Sequence, residues 1–567
     1  MAAQGEEQTP KYRPAKTLPY ELRQHCAAHL EEKLFQNAFD LLLGLLSAGT
    51  IASGPAFVPS PQLLAVAATV AVHPSTTTRT NAKESHKAAN TALQLLRLTN
   101  KLVGPLGGRL EAAFTFTHFN LSRHGGRRRV NSDANGASNG DYSSSTDTAP
   151  LNLDLARGGS LWLRAEDFWH AVGWAFNCSV LYPKRWARWQ AWLQYMCEVL
   201  EDDWAERERL IESSSNGEQS PIEHKILKES LIAKYILGTS GVSGHHRRIL
   251  RAIFADGCPT ALNEFRQVFH NELKEPDRDE GKLKRREVDV NVDEDIYGDY
   301  LARGDDDDSD ELAIKEEKEE RPARAKRSRT RAPSPTSNLS GDFDVDPSGK
   351  LPEISDSEYL SKLGGLPALD LRQRLLQLLS TVSASLPETF MTLDSLYHLF
   401  VEFIRHLPLP TFQVLVSSPV LRNFSDAARS SLSEMLLFRL LESAAPSSSE
   451  SFLNQTKLEN CFLPYAASTN SAVDNARVSL LLETLLRLLH SNGLLTVQPS
   501  LKQALEKGIM NRATKSQSDV RKGQGKLKAE ESGWTWLIES GERMDHLVNK
   551  VLAKDEHEKP ILLGKIT

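Results

Sequence analysis

The sequence predicts an all-α protein in which two helical modules are joined by a long linker, acidic in its first part and basic in its second. Apolar residues recur at helical spacing on both sides of the linker. Strand signals are weak, because no Asn-Gly or Asp-Gly turn is flanked by alternating Val, Ile or Thr. No period of about 34 or 40 residues repeats with a recognisable signature, so a solenoid-like, HEAT-like stack is one open arrangement.

Composition divides the chain into six segments. A length of 567 residues is too great for one compact core. The predicted segments are a disordered tail (1–17), an N-terminal helical part (18–121), a disordered Ser/Asn/Gly-rich insertion (122–159), a Trp-rich helical part of the same module (160–274), a disordered charged linker (275–352) and a C-terminal helical module (353–567).

Periodic apolar residues predict the first helices. The spacing over 30–45 predicts a helix that ends at Gly49. A further amphipathic helix is predicted over 87–103, with its end at Gly104, which precedes a proline.

Capping residues mark three helix starts. Ser60 is followed by Pro61, a proline suited to the first helical position, before an apolar run. Thr392 and Ser425 each precede an acidic or polar turn and then an apolar run, so both are expected to be N-caps.

The net charge of −6 comes from one segment. Residues 275–320 carry 20 acidic and 8 basic residues, and residues 321–331 carry six basic residues and no acidic one. The remaining chain therefore sums to zero, and a globally basic nucleic-acid binder is not indicated.

The basic block of the linker predicts nuclear import. Import receptors bind exposed cationic peptides, and this block follows a tract that is not expected to fold. Its basic residues are Arg321, Arg324, Lys326, Arg327, Arg329 and Arg331. The alternatives are a solvated charge run or a run that binds the neighbouring acidic tract.

Two acidic stretches of the linker are candidates for short docking motifs. Val288, Val290, Val292 and Ile296 alternate with acids, which looks like a SUMO-interacting motif but departs from its usual consecutive apolar run. Residues 342–359 read DFDVDPSGKLPEISDSEY, which resembles an acidic serine-kinase site or a docking motif. The alternative for both is a plain linker.

A basic stretch near the C-terminus, 507–528, contains one acid and no aromatic residue. Lysines and arginines of this kind contact phosphates without reading sequence, so weak non-specific nucleic-acid contact is one interpretation. The other is an exposed loop between helices.

Seven of the nine tryptophans fall between Trp162 and Trp204. On a helix, six apolar residues form one stripe, while Arg185 and Arg188 fall largely outside it. The stripe consists of Trp186, Trp189, Leu193, Met196, Leu200 and Trp204. Core packing is favoured, with a partner-binding surface or a nucleic-acid platform as alternatives.

Enzymatic and metal motifs are largely absent from the sequence. There is no GxxxxGK[ST], HExxH or GxSxG motif, and the five cysteines include no CxxC pair. We expect no cofactor, no metal and no catalytic activity. The enzyme alternative places a Trp-lined pocket in 160–210, with Glu166, Asp167 or His170 as acid or base.

The function predicted is that of a non-enzymatic scaffold or adaptor subunit of a nuclear multiprotein complex, in genome maintenance or chromatin. Its partners would be other protein subunits, and a ribosome-biogenesis factor is the alternative. No signal peptide is evident at the N-terminus. The longest apolar stretch, 63–72, is half of the roughly 20 residues that a membrane span needs, so no membrane association is expected.

Overall fold

A computed structural model describes residues 11–48, 54–117, 151–214, 221–238, 244–275, 362–417, 424–446, 450, 452–496, 498–517 and 524–558. Of these residues, 73% are helical and 2% lie in strands. The prediction of a mostly helical protein is thereby confirmed. No helix within the described ranges is both long and apolar enough to cross a membrane.

The part before residue 276 begins with a short strand pair that the sequence did not predict. Strands β1 (Ala15–Thr17) and β2 (Ala56–Val58) are parallel, with Lys16 opposite Phe57. The described helices are α1 (Tyr20–Glu31), α2 (Phe35–Ser47), α3 (Pro61–Val72), α4 (Lys83–Gly107), α5 (Leu110–Ala113), α6 (Leu161–Arg164), α7 (Phe168–Leu181), α8 (Pro183–Ser214), α9 (Pro221–Lys228), α10 (Leu231–Leu237), α11 (His245–Ile253) and α12 (Pro259–Glu264).

The helix predicted over 30–45 is divided between α1 and α2. Lys33 adopts a φ of 60°, a left-handed conformation that ends a right-handed helix. The N–H of Lys33 donates to the Leu30 carbonyl at 3.1 Å, which closes the last turn of α1. An apolar period continues through such a break, so the spacing alone does not reveal it.

Gly104 kinks α4 rather than ending it. Its backbone has a φ of 78° and a ψ of 170°, and the helix resumes beyond the following proline to Gly107. A residue remote in sequence caps the turn that follows the kink: the Leu106 N–H donates to the Glu206 carboxylate at 3.2 Å. The residues that predicted a stop therefore produce a bend.

The centre of this part is α7, whose residues from Phe168 to Cys178 are all buried. Asp167 caps α7, accepting from the His170 N–H at 2.7 Å. The chain turns at Pro183 and α8 packs back along α7. Helices α7 and α8 therefore pack against each other.

The part after residue 361 is also helical. Its described helices are α13 (Gly365–Ser385), α14 (Leu393–Ile404), α15 (Leu409–Ser417), α16 (Asp426–Leu441), α17 (Gln455–Lys457), α18 (Ala472–Ser491), α19 (Pro499–Gln517) and α20 (Gln524–Glu558). Thr392 and Ser425 cap α14 and α16 as predicted, accepting from the N–H groups of Ser395 and Ala428.

Helix α18 forms the core of this second part. It is buried on nearly all sides and packs against α15, α16, α19 and α20. Its sequence explains this position, since leucine, valine and alanine continue around the whole helix instead of along one stripe.

The two helical parts share one hydrophobic core and belong to one compact unit. Arg374 of α13 pairs with Glu201 of α8 through bonds of 2.8 and 2.6 Å. The rings of Phe254 and Phe403 stack with their centroids 5.3 Å apart. These contacts pack the two parts against each other.

Candidate partner-binding groove

The predicted tryptophan stripe lies inside the protein. All six of its residues are buried, and the most exposed of them, Trp186, retains 8% of its accessible surface. Trp189 donates its indole N–H to Glu272 at 2.6 Å and meets the Trp192 ring edge-on at 5.4 Å. The stripe is therefore core and offers no ring to a partner.

Arg185, at the start of the stripe, is buried as well. Its guanidinium pairs with the Glu272 carboxylate and donates to the Thr77 hydroxyl at 3.1 Å. It also lies over the Trp189 ring, 5.4 Å from the centroid. The alternation of arginine and tryptophan thus builds a buried ion pair inside an aromatic cage, not a surface for phosphate.

The three residues of the enzyme alternative are held by structural contacts. Glu166 and Asp167 both pair with Arg248, the former at 3.2 Å. His170 accepts from the Glu166 N–H at 3.1 Å through Nδ1, and its Nε2 lies 3.1 Å from the Arg266 carbonyl. Burial lowers the pKa of His170, which favours the neutral ring. These contacts engage the side-chain groups with which Glu166, Asp167 or His170 would act as an acid or a base.

An open groove lies in the second part, between α14 and α16. Its volume of about 1210 Å³ exceeds the roughly 300–1,000 Å³ of small-molecule pockets. The lining residues of α14 are Asp394, His398, Val401 and Glu402, continued by Arg405 and His406 just beyond the helix. This spacing follows one face of a helix over about 18 Å.

The opposite wall is one face of α16. It consists of Ser431, Glu434, Met435, Phe438 and Arg439, with Glu450 and Lys457 at the margin. Three lining residues, Val401, Met435 and Phe438, are apolar, and the other lining residues of the groove are polar or charged.

Phe438 is the most distinctive residue of the groove. The ring keeps 44% of its surface exposed although it packs edge-on against Phe462, with centroids 5.3 Å apart. The Lys457 ammonium lies 5.8 Å from the ring centroid and pairs with Glu434 at 3.1 Å. A half-exposed aromatic ring fixed by rigid neighbours is a typical anchor for a binding partner.

The charged groups of the groove are unequally paired. Glu402 binds Arg247 at 3.0 Å, and Glu434 binds Lys457. Arg405 contacts only the His406 ring nitrogen, at 2.9 Å, and pairs with no carboxylate among the described residues. Burial, with the Arg405 and Arg477 cations, lowers the pKa of His406. The lining of the groove as a whole carries charges of both signs, with four carboxylates and three permanent cations: Asp394, Glu402, Glu434, Glu450, Arg405, Arg439 and Lys457.

The other predicted sites fall wholly or partly beyond the described residues. Both the import block 321–331 and the motif at 288–296 lie outside them. In the basic stretch 507–528, residues 518–523 also lie outside them. Arg512 of that stretch is fully buried, donating to Ser479 at 3.0 Å and to the Leu463 carbonyl at 3.0 Å. Arg512 is thus unavailable to phosphate.

Sequence reasoning missed the groove because its residues look like ordinary amphipathic helix surface. One signal was present: Met435 and Phe438 lie on α16 beside Glu434 and Arg439, so large apolar side chains interrupt a charged face. That pattern indicates an exposed apolar site only once the neighbouring helix is known.

Comparisons with known proteins found no match to this chain. No protein-family model matches the chain, no curated protein matches it and no solved structure matches it.

Proposed function

We propose that this chain is a non-enzymatic scaffold or adaptor subunit of a nuclear multiprotein complex, and that the groove between α14 and α16 holds a segment of a partner subunit. Genome maintenance or chromatin is the proposed setting. A HEAT-like stacking of the helices forms part of the same proposal. The observation that supports it best is the half-exposed Phe438 side chain in the lining of a long groove.

The groove matches the way in which helical scaffolds bind peptides. An amphipathic helix or extended segment would place its apolar residues against Phe438 and Met435 and its charged residues beside the walls. Covering the exposed 44% of Phe438 removes roughly 60–110 Å² from water, worth about 2 kcal/mol. One anchor of this size makes a binding hot spot.

The nuclear setting is supported by the sequence of the import block, 321–331. Deleting these residues from a fluorescently tagged full chain is expected to move it from nucleus to cytoplasm. Accumulation of the deleted chain in the nucleus would contradict this part of the proposal.

Affinity purification with mass spectrometry, comparing three forms of the chain, tests the scaffold role. A Met435→Asp/Phe438→Asp chain is expected to lose a subunit that the native chain retains. Met510→Asp is the control, because Met510 is 73% exposed on α19 and does not line the groove. Identical partner sets for all three would overturn the groove assignment.

The identity of the retained proteins decides the setting. Chromatin proteins support the proposed setting, whereas co-purified pre-ribosomal RNA supports a ribosome-biogenesis factor instead.

A further inference from the structure

We propose that a small cationic cavity beside β1, α1 and the start of α3 binds a single phosphate monoester group. The cavity has a volume of about 130 Å³ and is built entirely from the part of the chain before residue 276. Its described lining residues do not overlap with those of the groove between α14 and α16. The inference therefore stands apart from the proposed function.

The charge of the cavity is the first argument. Three basic residues from three places in the chain line it: Lys16 of β1, Arg23 of α1 and Arg109, which directly precedes α5. No carboxylate is among its described lining residues. Three cations around one small volume repel each other, and an anion bound between them would relieve that repulsion. The lining therefore favours an anionic ligand.

Aromatic rings hold two of these cations beside the cavity. The Lys16 ammonium lies 5.1 Å from the ring centroid of Phe57, and the Arg23 guanidinium lies 5.6 Å from that of Tyr20. A ring face attracts a cation without neutralising its charge. Lys16 pairs with no carboxylate within the described ranges, so its full charge remains for a ligand.

The backbone of Arg109 is the second argument. Its φ of 51° and ψ of 39° are left-handed, a conformation that glycine adopts freely and that a residue with a β-carbon disfavours. The side chain is exposed and has no carboxylate partner in the described part of the chain. Strained positions of this kind are typical of ligand contacts. A role for the guanidinium in binding would account for an arginine at this position.

The start of α3 adds to the positive potential that the three cations create. Ser60 and Pro61 line the cavity, and the Ser60 hydroxyl accepts from no N–H of the first turn. Partial positive charge collects at a helix N-terminus, and uncapped N–H groups there are donors for an anion.

The size of the cavity narrows the class of anion. Small-molecule pockets measure roughly 300–1,000 Å³, so a whole nucleotide is too large for this one. About four water molecules occupy this volume in the liquid, which is enough for one phosphate group. A phosphate monoester is nearly a dianion at neutral pH and offers three acceptor oxygens to the three cations. Its source is a phosphorylated protein side chain or a free phosphate compound.

Titration of three phosphates into the full chain, followed by phosphorus NMR, tests the inference. The probes are N-acetyl-phosphoserine-N-methylamide, inorganic phosphate and dimethyl phosphate, a diester with one charge. The first two are expected to bind saturably, and dimethyl phosphate at least tenfold more weakly. Tighter binding of the phosphoserine probe than of inorganic phosphate assigns the site to a phosphoprotein; equal or weaker binding assigns it to a free phosphate compound. No saturable binding of either, or equal binding of the diester, would overturn the inference.

Variants of Arg109 locate the binding. Arg109→Gly removes the charge and suits the left-handed backbone, so the affinity is expected to fall about tenfold while the thermal midpoint does not fall. Arg109→Lys keeps a cation and should bind within about threefold of the native chain. The control is Lys507→Gln, which removes an exposed charge from α19 and should leave binding unchanged. Native affinity in Arg109→Gly, or an equal loss in Lys507→Gln, would overturn the assignment.

Discussion

The guanidinium of Arg372 lies 4.0 Å from the ring centroid of Phe176, and this contact joins α13 to α7. Arg372 is fully buried and donates to the carbonyls of Ile253 and Ala255, the latter at 2.9 Å. Burial lowers the pKa of Arg372 to about 9, so the side chain remains a cation at neutral pH. The nearby Asp256 carboxylate opposes this lowering of the pKa. The carbonyl dipoles at the end of α11, where partial negative charge collects, also face the cation.

Replacing Arg372 with methionine is expected to lower the free energy of unfolding by about 3–5 kcal/mol, because buried carbonyls of α11 lose their donor. Arg374→Met is the control: its partner Glu201 is 41% exposed, and the expected loss is about 1 kcal/mol or less. Urea denaturation followed by circular dichroism measures both. A loss of about 1 kcal/mol or less for the Arg372 variant would show that the Arg372 contacts contribute little to holding the two parts together.

The Arg185–Glu272 pair should behave as a coupled unit. Glu272 accepts from Trp189 at 2.6 Å and from the Phe269 N–H at 3.1 Å, besides pairing with Arg185. Arg185→Met or Glu272→Gln alone should each cost about 3–5 kcal/mol, since each leaves a buried polar partner uncompensated. The double variant should lose less than the sum, and a denaturant-based double-mutant cycle measures the difference. Simple additivity would mean that the two side chains do not interact.

His73 should make the protein less stable in mild acid. Its Nδ1 accepts from the Ser75 N–H at 3.2 Å, which requires that nitrogen to be unprotonated. Burial, reinforced by the Arg185 cation and other arginines nearby, lowers the pKa of His73 from its ordinary 6.5 to about 4. The unfolded chain therefore takes up a proton below pH 6.5 that the folded chain does not accept until about pH 4.

Between pH 7 and pH 5, the titration of His73 should therefore lower the free energy of unfolding by about 1–2 kcal/mol. His73→Asn keeps a cap acceptor and removes the titration, so its stability should fall less over the same range. His170, whose pKa is also lowered, affects both proteins equally. If the free energy of unfolding fell by the same amount with pH in the native chain and in the variant, His73 would not have this role.

A β-carbon at Gly508 should destabilise the protein. Gly508 packs directly against the Leu463 carbonyl and Arg512, and an added methyl would overlap the carbonyl oxygen. Gly508→Ala is expected to cost about 2–3 kcal/mol through overpacking. Gly44→Ala is the matched control, because nothing lies within 4 Å of its added carbon and alanine favours helix by about 1 kcal/mol. If the thermal midpoints of the two variants shifted in the same direction, the close packing at Gly508 would be contradicted.

Local sequence signals predicted where helices lie better than they predicted which residues contact each other in the folded chain. The caps at Thr392 and Ser425 depend on neighbouring residues only, and both are where the sequence places them. The break at Lys33 was missed because the apolar period continues through it. At Gly104 the glycine and the following proline predicted the end of the helix, but the helix bends there and continues to Gly107. Glu272 lies far from Arg185 in sequence, and its burial there depends on tertiary packing that no local pattern encodes.

The candidate site could not be predicted from local sequence patterns either. Phe438 lies on α16 and Arg405 directly follows α14, and their shared groove arises only when these two helices pack together. Charge alone was also misleading at Arg512, which resembles its basic neighbours in sequence but binds buried carbonyls.

The two chain ends that flank residues 276–361 lie near the junction of α7 and α8. Glu275 lies beside Lys184, with 3.4 Å between their charged atoms, and Gly364 packs against Ser179 near the end of α7. This geometry constrains where the intervening chain leaves and returns but places no demand on its length. Insertions and deletions within it can therefore accumulate over evolution without disturbing the Arg372 contacts.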